Sequence, residues 1–462
     1  MFSPHTYKER RNKLKSLVGS GLIVLPGNED VGMNYHDNVY HFRQDSTFLY
    51  YTGIDRSNLV FVIDIDNNSE TLFGDDLTVD QIVWTGPVDT LTSFASKAGI
   101  TNIQPYATIN DVIEKAMQQK QEIHFLYPYR GEILIKLSEW LNTPVQSLRN
   151  KTSLTLTKAI IAQRCYKTQE ELAELDKAVD ITSAMQLKAI QLSRPGITEY
   201  EIAGQIEGVA TSHGGHLSFP TILTVNGQYL HNHAGANILK SGQMVLCDCG
   251  AETAMHYAGD MTRTFPVDDK FTTQQREVYN IVLNAQEVAV AALKPGVFFR
   301  DVHFLASEKL AEGLKQLGLL KGDMKEAVSL GVHTLFFQCG LGHMLGLDVH
   351  DMENLGEEYV GYTDTMKKSK EFGLRSLRLG RKLEEGFVVT IEPGIYIIPE
   401  LIDQWQAEDK HKDFINYEKV NSFRSFGGIR IEEDYFITSS GSRLLGKPFA
   451  KTVKDIEALK QV

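Results

Sequence analysis

Two aspartates on the two arms of one predicted β-hairpin constrain this chain more than any other feature. Residues 243–247 lean apolar, Gly250 permits a bend or bulge, and residues 257–265 return as a second strand. Asp248 and Asp260 then face each other. Two such carboxylates repel unless an arginine, a shared proton or a metal lies between them. The alternative is an exposed hairpin whose acids are solvated.

Side chains alternate between the two faces of the first predicted strand, which puts its aspartate and its cysteines on opposite faces. Asp248 points to the face opposite Cys247 and Cys249, so an aspartate that faces a site implies cysteines that point into the packing behind it. With Cys165 and Cys339 the chain has four cysteines, too few for a disulfide framework. Cys247-x-Cys249 is a weak zinc signal because no second pair follows at finger spacing.

Length and charge limit the classes of protein that remain. At 462 residues the chain is too long for one ordinary core, and about two to three domains are expected. The formal net charge of −12 argues against binding to nucleic acid or to anionic membranes. No apolar run approaches the roughly 18 residues of a membrane span. We therefore expect a cytoplasmic protein.

The first third of the chain alternates helical and extended patterns. A basic amphipathic helix is predicted over residues 6–18, a strand over 21–25, and a hairpin that pairs 58–66 with 70–73. Further helices are predicted near 86–98, 109–119 and 132–141, with strands near 81–85 and 123–128. The pattern predicts an α/β domain that ends near residue 155.

The remainder groups its helices and strands in blocks. Capping boxes at Thr168, Thr198 and Thr272 open helices, and Pro-Gly pairs end the first and third of them. Strands are predicted near 218–225 and 243–265, and again after 385. This order predicts an α+β second domain.

Four further stretches in this second domain carry chemistry. His343 and His350 lie in a glycine-rich segment, and His231 follows a strand. Glu392 interrupts an apolar strand, where an unpaired carboxylate is costly. The alternating segment 427–434 puts Arg430, Glu432 and Asp434 on one face. Each stretch alone has a structural explanation, whereas their joint occurrence favours a site.

Five of these acids and histidines resemble a known ligand set. Asp248, Asp260, His343, Glu392 and Glu432, each within its motif, resemble the metal ligands of the pita-bread metallopeptidases, which include methionine aminopeptidase, aminopeptidase P and prolidase. The stretch 40–48 resembles the amino-terminal domain of the aminopeptidase P and prolidase branch. The resemblance implies an N-terminal domain of that type over residues 1–156 and a pita-bread catalytic domain over 157–462.

The resemblance also implies roles for these residues. The site would hold two divalent ions, and manganese is the usual metal of the family. Asp260 and Glu432 would bridge the two ions, with Asp248 on one ion and His343 and Glu392 on the other. One imidazole and four carboxylates form an oxygen-rich donor set that suits such ions. Glu392 would accept a proton from the attacking water, and His231 and His350 would hold substrate and stabilise the tetrahedral intermediate.

Two departures from the family pattern concern the site. The spacing of Asp248 and Asp260 is one residue longer, which places an extra residue near Thr253 to His256. A bulge would let both aspartates keep their facing. Cys339 stands where the family has a histidine, so one supporting imidazole is absent and a thiol lies near the ligands.

The expected activity is hydrolysis of the Xaa-Pro bond at peptide N-termini. Arg378 matches the arginine that binds a dipeptide's free carboxylate in prolidases, and Arg430 is also assigned to substrate binding. We therefore expect an Xaa-Pro dipeptidase that acts on proline-containing dipeptides or short peptides and forms a homodimer or homotetramer. The alternatives are an Xaa-Pro aminopeptidase for longer peptides, a metal-free pita-bread binding module, and a creatinase-like hydrolase, whose branch lacks the metal set.

Overall fold

The computed structural model describes residues 1–461, which form two compact units. The first is Met1–Arg164, and the second starts at Cys165. The predicted boundary after residue 156 falls inside a helix, Leu154–Arg164. The division into domains at 156 and 157 stays a prediction.

The first unit is built on one mixed sheet with the strand order β6-β5-β4-β1-β7. Strand β4 pairs antiparallel with both β1 and β5, whereas β7 and β6 pair parallel at the two edges. A separate ribbon joins β2 and β3. The elements are α1 Pro4–Val18, β1 Leu22–Pro26, β2 Gly32–Tyr35, β3 Asn38–Val39, α2 Ser46–Thr52, β4 Val60–Asp64, β5 Ser69–Phe73, α3 Val79–Thr85, α4 Leu91–Lys97, β6 Asn102–Gln104, α5 Ile109–Gln118, β7 Ile123–His124, α6 Gly131–Trp140, α7 Val145–Leu148 and α8 Leu154–Arg164.

The core of this unit lies between the sheet and helices α5 and α6. Val24 and Val62 of the sheet pack with Ile113 of α5 and Leu137 of α6, and all four are buried. Both β1 and β4 are continuous apolar runs that are buried at every position except the last, as expected for strands inside a sheet covered on both faces. The predicted hairpin of β4 and β5 is therefore confirmed, with Asp64 opposite Ser69 at its closed end.

One predicted strand in the first unit is wrong. Residues 81–85 belong to α3, which begins with a capping box between Thr78 and Gln81. The β-branched and aromatic residues Ile82, Val83 and Trp84 led to the strand prediction, but local capping decides the conformation. The second predicted strand, 123–128, is limited to Ile123–His124.

The second unit combines small sheets with long helices. Its elements are α9 Gln169–Leu192, α10 Glu199–Ser212, β8 His216–Leu217, β9 Ile222–Thr224, β10 Met244–Cys249, β11 Ala251–Glu252, β12 Met261–Pro266, α11 Thr273–Ala292, α12 Phe299–Gln316, α13 Met324–Ser329, α14 Glu357–Val360, β13 Val388–Ile391, β14 Gly394–Tyr396, α15 Pro399–Ala407, α16 Tyr417–Asn421, β15 Gly428–Arg430, β16 Glu433–Ile437, β17 Ser442–Leu444 and α17 Val453–Leu459.

Two helix pairs support the sheets of this unit. Helix α9 packs against α10 and lies on β10, β11 and β12, whereas α11 packs against α12 and lies on β13, β14 and β15. The sheet orders are β12-β10-β9 and β13-β16-β17, with β14 paired to β15 and β11 to β8. This block arrangement of helices and antiparallel strands confirms the predicted α+β class.

Local sequence signals determine where three of these helices begin. The capping boxes predicted at Thr168, Thr198 and Thr272 are all formed, because each threonine side chain accepts from the backbone of a residue whose own side chain reaches back. Among residues 1–461, no helix combines the length and the apolar character that crossing a membrane requires.

Candidate metal centre and active site

A cavity of about 290 Å³ in the second unit brings the predicted site residues together. It lies where the β10 and β12 hairpin meets the ends of β13 and β15. The residues predicted from sequence that line it are His231, Asp248, Asp260, His343, His350, Arg378, Glu392, Arg430 and Glu432. They are spread over about two hundred positions of sequence, so only the fold can place them around one space.

The hairpin carries Asp248 and Asp260 at the wall of this cavity. Asp248 lies in β10 opposite Thr262, and Asp260 directly precedes β12. Gly250 makes the approach possible, because a Cβ there would lie 2.1 Å from the carbonyl oxygen of Gly259. The flanking cysteines of β10 are fully buried on the other face, as alternation predicts.

The turn that joins the two arms is compact. The His256 backbone has a φ of 66° and its N–H donates to the Thr253 carbonyl at 2.8 Å. Its imidazole Nδ1 lies 2.8 Å from the Glu252 carboxylate. Residues 253–256 therefore close the hairpin, and none of them lines the cavity.

Three predicted ligands converge most closely. Asp260, His343 and Glu432 each offer a ligand atom, and these atoms all lie within 4.8 Å of one another in a buried cluster. The His343 Nε2 lies 3.4 Å from Asp260 Oδ2 and 3.7 Å from Glu392 Oε1. This separation leaves room for an ion between the atoms and is too long for strong hydrogen bonds.

Strand pairing sets His343 beside Glu392. The His343 backbone N–H donates to Thr390 Oγ1 at 3.1 Å, and the Thr390 N–H donates to the His343 carbonyl at 3.0 Å. Glu392 extends the same pairing, since its N–H donates to the Leu341 carbonyl at 2.8 Å. Gly342 is required here because a Cβ would lie 2.1 Å from the Thr390 carbonyl oxygen.

The tautomer of His343 favours a cation at this point. Its Nδ1 lies 3.0 Å from the Met344 carbonyl, a group that only accepts hydrogen bonds, so Nδ1 carries the proton. Burial lowers the pKa of His343 and keeps the ring neutral. The Nε2 lone pair then points toward carboxylate oxygens, an arrangement that a bound cation stabilises.

Burial and mutual repulsion act together on the acids. Burial raises the pKa of Asp260 well above its ordinary value, and the charges of Asp248 and Asp434 raise it further. Glu432 is affected in the same way, by burial first and then by Asp260 and Glu392. Without a positive partner these groups would hold protons, whereas a cation would ionise them.

Buried carboxylate oxygens without a hydrogen-bond partner also indicate a cation site. Within residues 1–461, Asp248 Oδ1, Asp260 Oδ1 and Asp434 Oδ1 are buried and accept no hydrogen bond. A buried carboxylate oxygen without a donor is costly. Four carboxylates with one imidazole therefore fit hard or borderline divalent ions better than a structural zinc site.

Arg430 is engaged by the protein itself. Its Nη2 donates to Asp248 Oδ2 at 2.6 Å, its Nε to Thr262 Oγ1 at 3.0 Å and its Nη1 to Tyr396 Oη at 3.0 Å. The side chain is 3% exposed. The substrate-binding role of Arg430 stays a prediction, and its contact with Asp248 holds a predicted metal ligand.

Three residues form the outer part of the cavity. The His350 ring centroid lies 4.2 Å from that of His343, and burial lowers the pKa of His350 to about 4. His231 also lines the cavity and is exposed, and partial burial lowers its pKa too. Arg378 is about one third exposed and donates from Nε to Glu353 at 3.2 Å.

Cys339 lines the same cavity, and its thiol is not bonded to any of the predicted metal ligands. Its Sγ lies 4.0 Å from Tyr396 Oη, and burial raises the pKa of the thiol to about 12. The thiol therefore stays protonated at neutral pH and is a poor nucleophile.

Several contributors were not predicted from sequence. Thr262 donates to Glu432 Oε2 at 2.7 Å, and the Asp260 N–H donates to Asp434 Oδ2 at 3.0 Å. Asp434 was visible on the polar face of its strand, but Tyr396 and Glu353 gave no sequence signal of their own. Their roles depend on contacts between segments far apart in the chain.

The fold and the carboxylate-rich centre define a metallopeptidase-type protein, and the comparisons with known proteins agree. The model of "Metallopeptidase family M24" matches residues 173–439, and that of "Aminopeptidase P, N-terminal domain" matches residues 7–125. The chain belongs to metallopeptidase family M24.

Relatives of two kinds cover nearly the whole chain. It is 33% identical to the Xaa-Pro dipeptidase of Homo sapiens, over 97% of this chain and 90% of the relative. It is 32% identical to the Xaa-Pro aminopeptidase of Escherichia coli (strain K12), over 99% and 98%. The solved structure of zinc-substituted E. coli aminopeptidase P in complex with product has a TM-score of 0.80 at 29% identity, covering 100% of this chain and 98% of that one.

Proposed function

We propose that this protein is an Xaa-Pro dipeptidase, an exopeptidase that hydrolyses the bond before proline and prefers substrates that end there. The observation that carries the proposal is one cavity that combines the Asp260, His343 and Glu432 cluster with the guanidinium of Arg378. A volume of about 290 Å³ lies at the lower limit for small-molecule sites, which favours a small substrate.

The residues that would hold metal are Asp248, Asp260, His343, Glu392 and Glu432. We propose that they bind two divalent ions, with manganese as the first candidate. Such ions, when bound, lower the pKa of water and polarise a carbonyl group. The donor set suits them because it is rich in oxygen, and the unpartnered carboxylate oxygens support it.

Each remaining residue has a proposed task in hydrolysis. Glu392 is partly open to the cavity, with a side chain 19% exposed, and would accept a proton from the attacking water. His350 and His231 both line the cavity and would hold the substrate and the developing oxyanion. Arg378 would bind the free carboxylate of a dipeptide.

We assign Arg430 to a different task from the one expected from sequence. Its three contacts hold Asp248, Thr262 and Tyr396 in place, and its burial leaves little access to a substrate. Arg430 then positions a metal ligand and balances part of its charge.

The second candidate is an Xaa-Pro aminopeptidase that acts on longer peptides. Its support is the similarity to the E. coli Xaa-Pro aminopeptidase over nearly the full length of both chains. A metal-free binding module has less support, because all five predicted ligands line one cavity. Assembly into two or four copies and a cytoplasmic location stay predictions.

The experiment is a comparison of two substrates with purified, manganese-loaded protein. Ala-Pro should be cleaved with the higher kcat/KM, and Ala-Pro-Ala with the lower. Arg378→Ala should lower kcat/KM for Ala-Pro by about 2 kcal/mol, roughly thirtyfold, and affect Ala-Pro-Ala much less. Equal losses on both peptides would show that Arg378 does not read the carboxylate.

A further inference from the structure

One carboxylate outside the predicted site connects two residues within it. Glu353 Oε2 accepts from His350 Nδ1 at 2.5 Å and from Arg378 Nε at 3.2 Å. The two donors line the cavity, whereas Glu353 is not among its lining residues. All three side chains are about one third exposed. A single oxygen thus fixes an imidazole and a guanidinium relative to each other.

The backbone holds Glu353 at this point. Met352 is buried and has a φ of 64°, a left-handed conformation unusual for a residue with a side chain. The Glu353 N–H donates to the His350 carbonyl at 3.1 Å, and Leu355 continues the turn by donating to Met352 at 2.9 Å. The turn that places Glu353 therefore also places His350.

The two terminal nitrogens of Arg378, Nη1 and Nη2, are available to bind another group. Its Nε is taken by Glu353, and Glu357 Oε1 lies 4.0 Å from the same nitrogen. Glu357 itself pairs with Lys368. Nowhere in residues 1–461 does a hydrogen bond start from Arg378 Nη1 or Nη2. These two nitrogens form the end of the guanidinium that grips a carboxylate with two parallel hydrogen bonds.

We propose that Glu353 is a positioning residue that fixes the spacing between His350 and Arg378 and thereby selects peptides that end directly after proline. The inference rests on the proposed function, because it explains how that function distinguishes dipeptides from longer peptides. A peptide whose carboxylate lies one residue further on cannot reach both groups at the spacing that Glu353 sets.

The test measures kcat and KM for Ala-Pro and Ala-Pro-Ala in Glu353→Ala, Glu353→Gln and the control Glu358→Gln. Glu358 is an exposed acid five positions further along. We expect Glu353→Ala to raise KM for Ala-Pro about tenfold, as for a lost charged hydrogen bond, with a much smaller change in KM for Ala-Pro-Ala. Glu353→Gln, which keeps the acceptor, should lie between, and Glu358→Gln should match the wild type.

A double-mutant comparison shows whether the effect passes through Arg378. In an Arg378→Ala background, Glu353→Ala should leave the ratio of the two kcat/KM values unchanged. Additive losses in this background would overturn the inference. Equal losses on the two peptides in the wild-type background would overturn it too.

Binding of proline gives a readout that does not depend on turnover. Calorimetry should show weaker binding of proline to Glu353→Gln than to Glu358→Gln, whereas prolinamide, which lacks the carboxylate, should bind both alike. Equal proline affinities would overturn the inference. A wild-type protein that cleaves neither peptide would instead refute the proposed function, and the inference with it.

Discussion

Replacement of Arg430 by methionine tests whether this arginine anchors the metal centre. The change keeps length and volume but removes three hydrogen bonds and the charge that lies 2.6 Å from Asp248 Oδ2. Because the arginine is 3% exposed and its partner 11%, the pair is largely shielded from solvent. Breaking one side of a buried pair costs about 3–5 kcal/mol.

The expected result is a lower thermal midpoint in the metal-free protein. For a unit of this size a loss of that magnitude corresponds to a fall of roughly 5–8 °C, measured by circular dichroism. A bound cation would share the charge of Asp248, so Arg430→Met should lower the midpoint of the metal-loaded protein by less.

Arg443→Met is the matched control. Arg443 also pairs with an aspartate, Asp176, at 2.9 Å, but the two side chains are 42% and 33% exposed. Such a surface pair contributes at most about 1 kcal/mol. Equal midpoints for the two variants in metal-free protein would refute the anchoring role of Arg430. A raised KM with unchanged midpoint and metal content would instead favour the substrate contact that the sequence suggested.

Three further changes test other parts of the site and fold. Glu392→Gln keeps the shape of the side chain but weakens proton acceptance, so kcat should fall at least about a hundredfold. A near-normal kcat with intact metal content would show that another group accepts the proton. Cys339→Ser should keep most of the activity because the thiol, with a pKa near 12, is not a nucleophile; complete loss with metal retained would contradict this. Burial lowers the pKa of His303 to about 3 and that of His333 to about 4, so the unfolded chain binds more protons and stability should fall as the pH drops from about 6.5 toward 4. His303→Phe should reduce this acid sensitivity in urea unfolding, and an unchanged pH dependence would exclude His303 as a source of it.

The elements that the sequence predicted well are those with a local cause. The capping boxes at Thr168, Thr198 and Thr272 need only four consecutive residues, and the hairpin of β10 and β12 needs only alternation and a glycine. Family membership and enzyme class are also confirmed, because five motifs in order are specific even when each is weak alone.

The parts that sequence could not supply depend on distant segments. Residues 81–85 are an exception, because the capping box of Thr78 and Gln81 that makes them α3 is a local signal; side chains that favour extended structure led to the strand prediction instead. The contact of Glu353 with Arg378 joins residues 25 positions apart, and that of Arg430 with Asp248 joins residues 182 positions apart. No periodicity reports such pairs.

A titration of metal-stripped wild-type protein with Mn²⁺, with proline release from Ala-Pro as the readout, tests the proposed metal centre directly. The buried, unpartnered carboxylates predict no activity without metal and a rate that rises until two ions are bound per chain. Full activity in the stripped protein, or no cleavage of Ala-Pro at any metal content, would contradict it.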